Sequence, residues 1–258
     1  MNFYIVTPFY NSFPLFIRTY ESVISQTHSS WKWLIVDDHS DASHLTELGL
    51  LVANNPEIVL LQNDGVKGAG NTRNVALDYI CHSYEQPFIL TFIDADDIWY
   101  PDFLKKTLEY IGNVDSSIIS CSYYLDWEDG KSLIHLKGES TFMSNLLNYR
   151  MPCLTTSIYI DDISLLKDCR FSSELRVNDQ PFFLCMLKKL KKISYFDEPL
   201  AFYKVGRLDS VSGNKVKQIL PKITALKNID APIYLKIIAF FSWVYYGVSK
   251  YYLKRYKL

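Results

Sequence analysis

The chain has 258 residues, 48% of them apolar, with 19 Tyr, 15 Phe and a formal net charge of −1. That excludes a disordered or low-complexity protein and allows one large domain plus an appendage. The near-neutral total hides a division: Asn214 to Leu258 carry nine Lys and Arg against one Asp, a net of +8, which leaves −9 on residues 1–213. An acidic body with a basic, aromatic tail argues against nucleic acid as a partner and for an anionic membrane surface.

From the N-terminus, Phe3 to Thr7 reads as a strand stopped by Pro8, and Pro14 to Gln26 as a helix. A strand at Trp33 to Val36 ends in Asp37-Asp38-His39-Ser40. A helix over about 43–52, a strand at 58–61, a glycine-rich turn at Gly65 to Gly70 and a helix over 71–83 follow. The run to Ile93 includes Phe88, Ile89, Leu90, Phe92 and Ile93, a short apolar run as expected of a strand covered on both faces. Strands alternating with helices predict an α/β fold with a Rossmann-like, mostly parallel central sheet flanked by helices, whose ligands bind beyond the carboxyl ends of the strands. Thr7, Asp37 with Asp38, and Asp94 with Asp96 each fall just after an apolar strand, so three strand ends are expected to serve one crevice.

The stretch Phe92-Ile93-Asp94-Ala95-Asp96-Asp97-Ile98-Trp99 packs three acids into four positions. They repel one another unless a cation sits between them, and a hard divalent ion with oxygen ligands is the usual answer. The alternative is a solvated turn in which Asp97 caps the next helix. If Asp38 reaches a base or ribose while Asp94 and Asp96 serve a phosphate, a divalent ion must bridge acid and phosphate, because like charges repel.

Further along, the pattern predicts a helix over 102–111, a strand over 117–124, a turn and edge strand within 127–137, a helix over 142–147 and a strand over 154–160. An apolar helix over 182–190 opens near Pro181, and strands over 193–196 and 200–203 close the body. Asp179, at that helix entry, is either a simple N-cap or a general base facing the crevice. Arg73, one turn into its helix, either meets an anion in the crevice or pairs with Asp78. The glycine run lacks the third glycine of a dinucleotide fingerprint, and neither a Gly-x-Ser-x-Gly elbow nor a phosphate loop occurs. His28, His39, His44, His82 and His135 lack metal-ligand spacing. The five cysteines are odd in number and lack Cys-x-x-Cys spacing, so neither a zinc site nor a disulfide framework is expected, and a reducing compartment is the default. The N-terminus has no basic n-region or cleavage site, so no signal peptide is expected.

Five ordered segments, Val6 to Asn11, Ser22 to Thr27, Trp33 to Ser40, Gly70 to Asn74 and Phe92 to Asp97, resemble the family 2 glycosyltransferases with a GT-A type fold. The resemblance implies a GT-A domain at 1–212, with a nucleotide-sugar half (1–112) and an acceptor half (113–212), and a C-terminal helical, basic and aromatic extension at 213–258. It implies donor nucleotide contacts from Thr7, Pro8, Tyr10, Asp37, Asp38, Gly70, Arg73, Asp94 and Ala95, and from Arg207 in a later loop. It makes Asp94 and Asp96 the ligands of Mn²⁺ or Mg²⁺, and Asp179 the base, although Asn178 stands where the family usually has Glu. The implied reaction is inverting transfer from a nucleotide-sugar donor, by family habit a UDP-sugar, to a hydroxyl of a glycan or lipid-linked oligosaccharide acceptor in bacterial cell-surface polysaccharide biosynthesis. The Gln-x-x-Arg-Trp signature of processive synthases does not occur, which favours transfer of one sugar. Two other readings stand beside it: a sugar nucleotidyltransferase, and a degenerate nucleotide-sugar-binding protein.

In the tail, only 13 residues separate Lys236 from Lys250, too few to cross a bilayer of about 30 Å at ~1.5 Å per residue. An interfacial helix fits better, with Trp243, Tyr245 and Tyr246 at headgroup depth and the terminal Lys and Arg on anionic lipid. That predicts a cytoplasmic protein held peripherally on the inner face of the membrane through 231–258. The alternative is a helix docked on the protein or on a second subunit of a homo-oligomer.

Overall fold

The first strand shows why the chain folds as it does. In β1 (Asn2–Phe9), Tyr4 and Val6 point to one side and Phe3, Ile5 and Phe9 to the other, and all five are buried. β2 (Trp31–Asp37) and β4 (Phe88–Phe92) alternate in the same way between the same two apolar clusters. A strand buried on both faces needs a largely apolar run, which these sequences supply, broken only by Thr7, Lys32 and Thr91 between the apolar residues. Each large side chain so buried contributes about 1.5–3 kcal/mol.

A computed structural model describes residues 1–83, 87–127, 130–148, 151–172, 178–204 and 219–255, with side chains, Trp127 apart, through Tyr245. β1, β2, β3 (Ile58–Gln62) and β4 run parallel, connected through α1 (Phe13–Ile24), α2 (Ala42–Val52) and α3 (Ala69–Ser83). β5 (Ile98–Trp99), α4 (Phe103–Ile111), β6 (Ile118–Cys121), β7 (Tyr123–Trp127), β8 (Gly130–Ile134), β9 (Gly138–Thr141) and α5 (Phe142–Leu147) follow. Then come β10 (Ser157–Ile160), α6 (Ser164–Asp168), α7 (Asp179–Leu190), β11 (Lys192–Phe196) and β12 (Ala201–Lys204). The main sheet has the order β3-β2-β1-β4-β10-β6-β11-β9, and β5-β12-β7-β8 form a second sheet. β10 lies antiparallel to both β4 and β6, so parallel pairing dominates only in the N-terminal half.

Several expectations need correction. The strand expected over 117–124 breaks at Ser122 and feeds both sheets. The break is fixed by Ser122, whose hydroxyl donates to Asp197 Oδ1 (2.8 Å) and accepts from the Leu136 N–H (2.8 Å). The strand expected over 154–160 starts only at Ser157, because Cys153–Thr155 form a 3₁₀ turn. Cys169 and Cys185 are joined in a disulfide, Cα–Cα 5.6 Å, although no disulfide was expected. Their 16-residue separation carries no signature, and the packing of α7 beside the end of α6 brings them together.

The C-terminal residues form α8 (Ile219–Asn228) and α9 (Ile233–Arg255). Leu226, Ile229 and Ala239 bury against Leu146 of α5 and Leu184 of α7, so this extension shares a core with residues 113–212. Among the described residues no helix is long and apolar enough to cross a membrane. Trp243 departs from its expected position at headgroup depth: it packs near Phe240 and faces Lys222. The exposed apolar and aromatic residues of α9 are Ile233, Tyr234, Ile237, Ile238, Phe241, Val244 and, as expected, Tyr245.

Candidate active site

β2, β1 and β4 are neighbours in the sheet, and their carboxyl ends carry the predicted residues. At the end of β2, Asp37 is buried and both its oxygens accept the Ser40 N–H at 3.2 Å. Asp38, also buried, accepts the Gly68 N–H (2.9 and 3.1 Å) and Asn63 Nδ2 (2.9 Å). Asp38 therefore ties the glycine turn to the sheet, and Gly68, at φ +145, has backbone that only glycine adopts without strain. Thr7 is fully buried, its hydroxyl accepting from Trp33 Nε1 at 2.9 Å. Pro8 is half-buried, and Tyr10 is exposed with Lys67 Nζ 3.3 Å from its ring centroid, a cation-π pair between the β1 end and the glycine turn.

At the end of β4 the three acids separate by environment. Asp97 turns inward, fully buried; its Oδ1 accepts the Lys204 N–H of β12 (3.1 Å), and its backbone carbonyl accepts from Thr19 of α1 (2.7 Å). Burial, then the charges of Asp94 and Asp96, push its carboxyl well above the usual carboxylate range. Asp97 is thus a structural acid and caps no helix. Ala95 is buried, Asp96 half-buried, and the Asp94 side chain 34% exposed. Ser22 and Gln26 of the second motif hold this loop from behind: Gln26 donates to the Tyr100 carbonyl (2.8 Å) and accepts the Leu104 N–H (3.0 Å), and Ser22 Oγ accepts the Trp99 N–H (3.4 Å).

The third motif joins the two halves. Arg73, buried, forms an ion pair with Asp94 and donates to Asn178 Oδ1 (3.3 Å), leaving Asp78 to Arg170 (2.8 Å). Burial opposes the charge on Arg73, but Asp94, with Asp179 nearby, outweighs it and raises its pKa. Asn74 clamps Phe171 by two bonds, N–H to Oδ1 (3.0 Å) and Nδ2 to carbonyl (2.9 Å). Gly70 is where the chains approach most closely: a Cβ there would lie 2.3 Å from the Ser172 carbonyl oxygen and 2.9 Å from Asn178 Cβ.

On the far side Asp179 is the first residue of α7, one turn earlier than the helix start expected from the apolar run. Its Oδ1 accepts the Gln180 N–H at 2.8 Å. Burial raises its pKa and Arg73 works against that rise. Below it, Phe92 of β4 meets Phe182 and Phe183 of α7 edge-on at 5.7 and 5.9 Å, so the strand that leads to Asp94 and the helix that carries Asp179 share one aromatic core. Cys153, half-buried, feels Arg73, Asp94 and Asp179, and burial pushes its thiol up. Sequence reasoning missed Cys153, Gln180 and Lys222, none of which lies in a recognisable motif. Arg207 lies outside the described residues.

No group of three His, Cys, Asp or Glu among the described residues is arranged as a metal cage. Asp94 and Asp96 are two partly exposed carboxylates beside a third, Asp97, whose pKa is raised by burial and then by their charge. That donor set fits a hard divalent ion that takes one or two carboxylates and draws the rest of its shell from phosphate oxygens and water.

Comparison with known proteins identifies the family and the fold. The glycosyl transferase family 2 model matches residues 4–168. The chain is 26% identical over 251 residues to the UDP-Glc:alpha-D-GlcNAc-diphosphoundecaprenol beta-1,3-glucosyltransferase WfgD of Escherichia coli, covering 95% of this chain and 93% of that one. Among solved structures it resembles S. aureus TarS 1-349 in complex with UDP-GlcNAc, with a TM-score of 0.71 at 22% identity over 92% of this chain and 69% of that one. It also resembles the mannosyltransferase PcManGT of Pyrobaculum calidifontis in complex with GDP-Man and Mn²⁺, with a TM-score of 0.64 at 14% identity over 94% and 69%. The likenesses to solved structures concern the fold, which is of GT-A type. With its motifs in order and the family model matched over well over half its length, the chain belongs to glycosyl transferase family 2.

Proposed function

We propose that the chain transfers a sugar, with inversion, from a UDP-sugar to a hydroxyl of a glycan or lipid-linked acceptor in cell-surface polysaccharide biosynthesis. The observation that carries this reading is the meeting of Asp94, Arg73, Asn178 and Asp179 from three distant parts of the chain. Asp179 takes the acceptor proton as the hydroxyl oxygen attacks the anomeric carbon; the bond from that carbon to the diphosphate breaks, and the nucleoside diphosphate departs. Arg73 holds Asp94 and the Asn178 end of the α7 loop in one geometry, so donor and base stay in register. Asp94 and Asp96 would hold Mn²⁺ or Mg²⁺, which supplies charge neutralisation at the leaving diphosphate when bound. The strand ends around Tyr10, Asp37, Asp38 and Gly70 would receive the nucleoside.

A panel of UDP-, GDP- and TDP-sugars tested with Mn²⁺ and Mg²⁺ for thermal stabilisation identifies the donor, because binding to the native state raises stability by mass action. Transfer is then read as UDP release in the presence of a GlcNAc-diphosphate lipid. Absence of metal-dependent stabilisation by every donor, or an Asp96→Ala variant as active as the parent, sinks the proposal.

The exposed apolar and aromatic residues of α9, next to a run of lysines, would lie on the anionic inner face of the cytoplasmic membrane. Flotation with phosphatidylglycerol vesicles tests it. Ile237→Asp with Phe241→Asp should abolish flotation, and equal flotation with phosphatidylcholine would refute the electrostatic part.

A further inference from the structure

The transfer reaction proposed above leaves one buried group unexplained. Lys222 of α8 is 3% exposed, and among the described residues no carboxylate lies within ion-pair distance of its amine. A lysine kept out of water without an ion pair is costly, and such groups concentrate at functional sites. Its Nζ donates to Gln180 Oε1 in a buried hydrogen bond. Gln180 is 1% exposed, directly follows Asp179, and gives its own N–H to Asp179 Oδ1 at 2.8 Å. Trp243 of α9 closes the other side of the amine, its ring centroid 5.8 Å from Nζ.

We infer that Lys222 is a positioning residue for the base, acting through Gln180 to fix the first turn of α7, so that the C-terminal helices complete the active site and do more than anchor it. The inference rests on the reading of Asp179 as base. Two further observations support it. The α8 and α9 helices pack on α5 and α7 through Leu146, Leu184, Leu226 and Ala239, so the strut has a rigid foundation. The electrostatics are mutual as well: burial lowers the Lys222 pKa to about 8, and the Asp179 charge opposes that fall. By reciprocity the ammonium favours ionised Asp179. The charged or titratable groups facing Asp179 are then Arg73 from α3, Asp94 from the end of β4, Cys153 from the 3₁₀ turn and Lys222 from α8.

The test uses the full chain with UDP-glucose and a synthetic GlcNAc-diphosphate lipid, or whichever donor the panel selects. Lys222→Met keeps the side chain's bulk and removes its charge and donors. Its kcat should fall roughly 10- to 100-fold with the donor KM unchanged, as expected when a catalytic group loses its alignment. The acid limb of kcat/KM should also move to higher pH, and Lys222→Arg, which keeps the cation, should return that limb towards the parent. A merely structural lysine would lower melting temperature and leave the limb in place. Should Lys222→Met fail to fold, Gln180→Leu, which cuts the link at its other end, decides on the same fall in kcat. If Asp179→Asn abolishes transfer while Lys222→Met matches the parent in kcat and pH profile, the strut is refuted and the base stands. If Asp179→Asn transfers sugar normally, the base reading itself has failed.

Discussion

The two sides of the crevice are built in opposite ways. On the donor side, Asp37, Asp38, Asn63 and Gly68 bond within about 30 residues of one another, in turns that follow parallel strands. On the proposed acceptor side the neighbours of Asp179 are held by partners far away in the chain: Arg73 reaches Asn178 across 105 residues, and Lys222 reaches Gln180 across 42. The proposed nucleotide pocket should therefore persist when the proposed base is displaced. Binding and catalysis should be separable by mutation.

The sharpest separation is Asp179→Asn. It should bind donor normally by thermal shift and lose on the order of 10²-fold or more in transfer. If Asp179 is the base as proposed, transfer in the parent requires its ionised form and should be lost as pH falls through a pKa raised by burial above the ordinary aspartate value of about 4. A kcat/KM profile places that limb, and one at or below the ordinary value would contradict the upward shift. Gly70→Ala should follow, because its Cβ must displace the Ser172 carbonyl. Overpacking of this kind costs about 1–3 kcal/mol, and the displaced loop should lower kcat more than donor affinity. Arg73→Met should cost about 2 kcal/mol by urea denaturation, less than a wholly buried pair because Asp94 is 34% exposed. It would blunt the comparison by impairing donor binding and turnover together. The smallest effect on activity belongs to Cys169→Ser. Opening the disulfide should lower stability by roughly 3 kcal/mol on a chain-entropy estimate, read as a fall in Tm, and leave donor binding intact.

Legibility in the sequence followed the same division. The strands ending at Asp37 and near Asp94 were readable because burial on both faces demands a largely apolar run, and the acids after them mark the carboxyl edge of the sheet. The role of Gln26 was not readable, although its motif was, because its partners Tyr100 and Leu104 lie more than 70 residues away. Arg73 left a choice between Asp78, a helical neighbour, and an anion in the crevice, and the fold gave Asp78 to Arg170.

By itself, the sequence determined the alternation of strand and helix, the parallel N-terminal half and the acids at its edge, because these depend on periodicity and local chemistry. Only the tertiary structure decided that Asp97 turns inward while Asp94 meets Arg73, that Cys169 finds Cys185, and that a lysine from the C-terminal helices reaches the helix of the base. Those outcomes depend on which side chains share a low-dielectric interior, and that is set by packing between segments whose separation along the chain carries no signal.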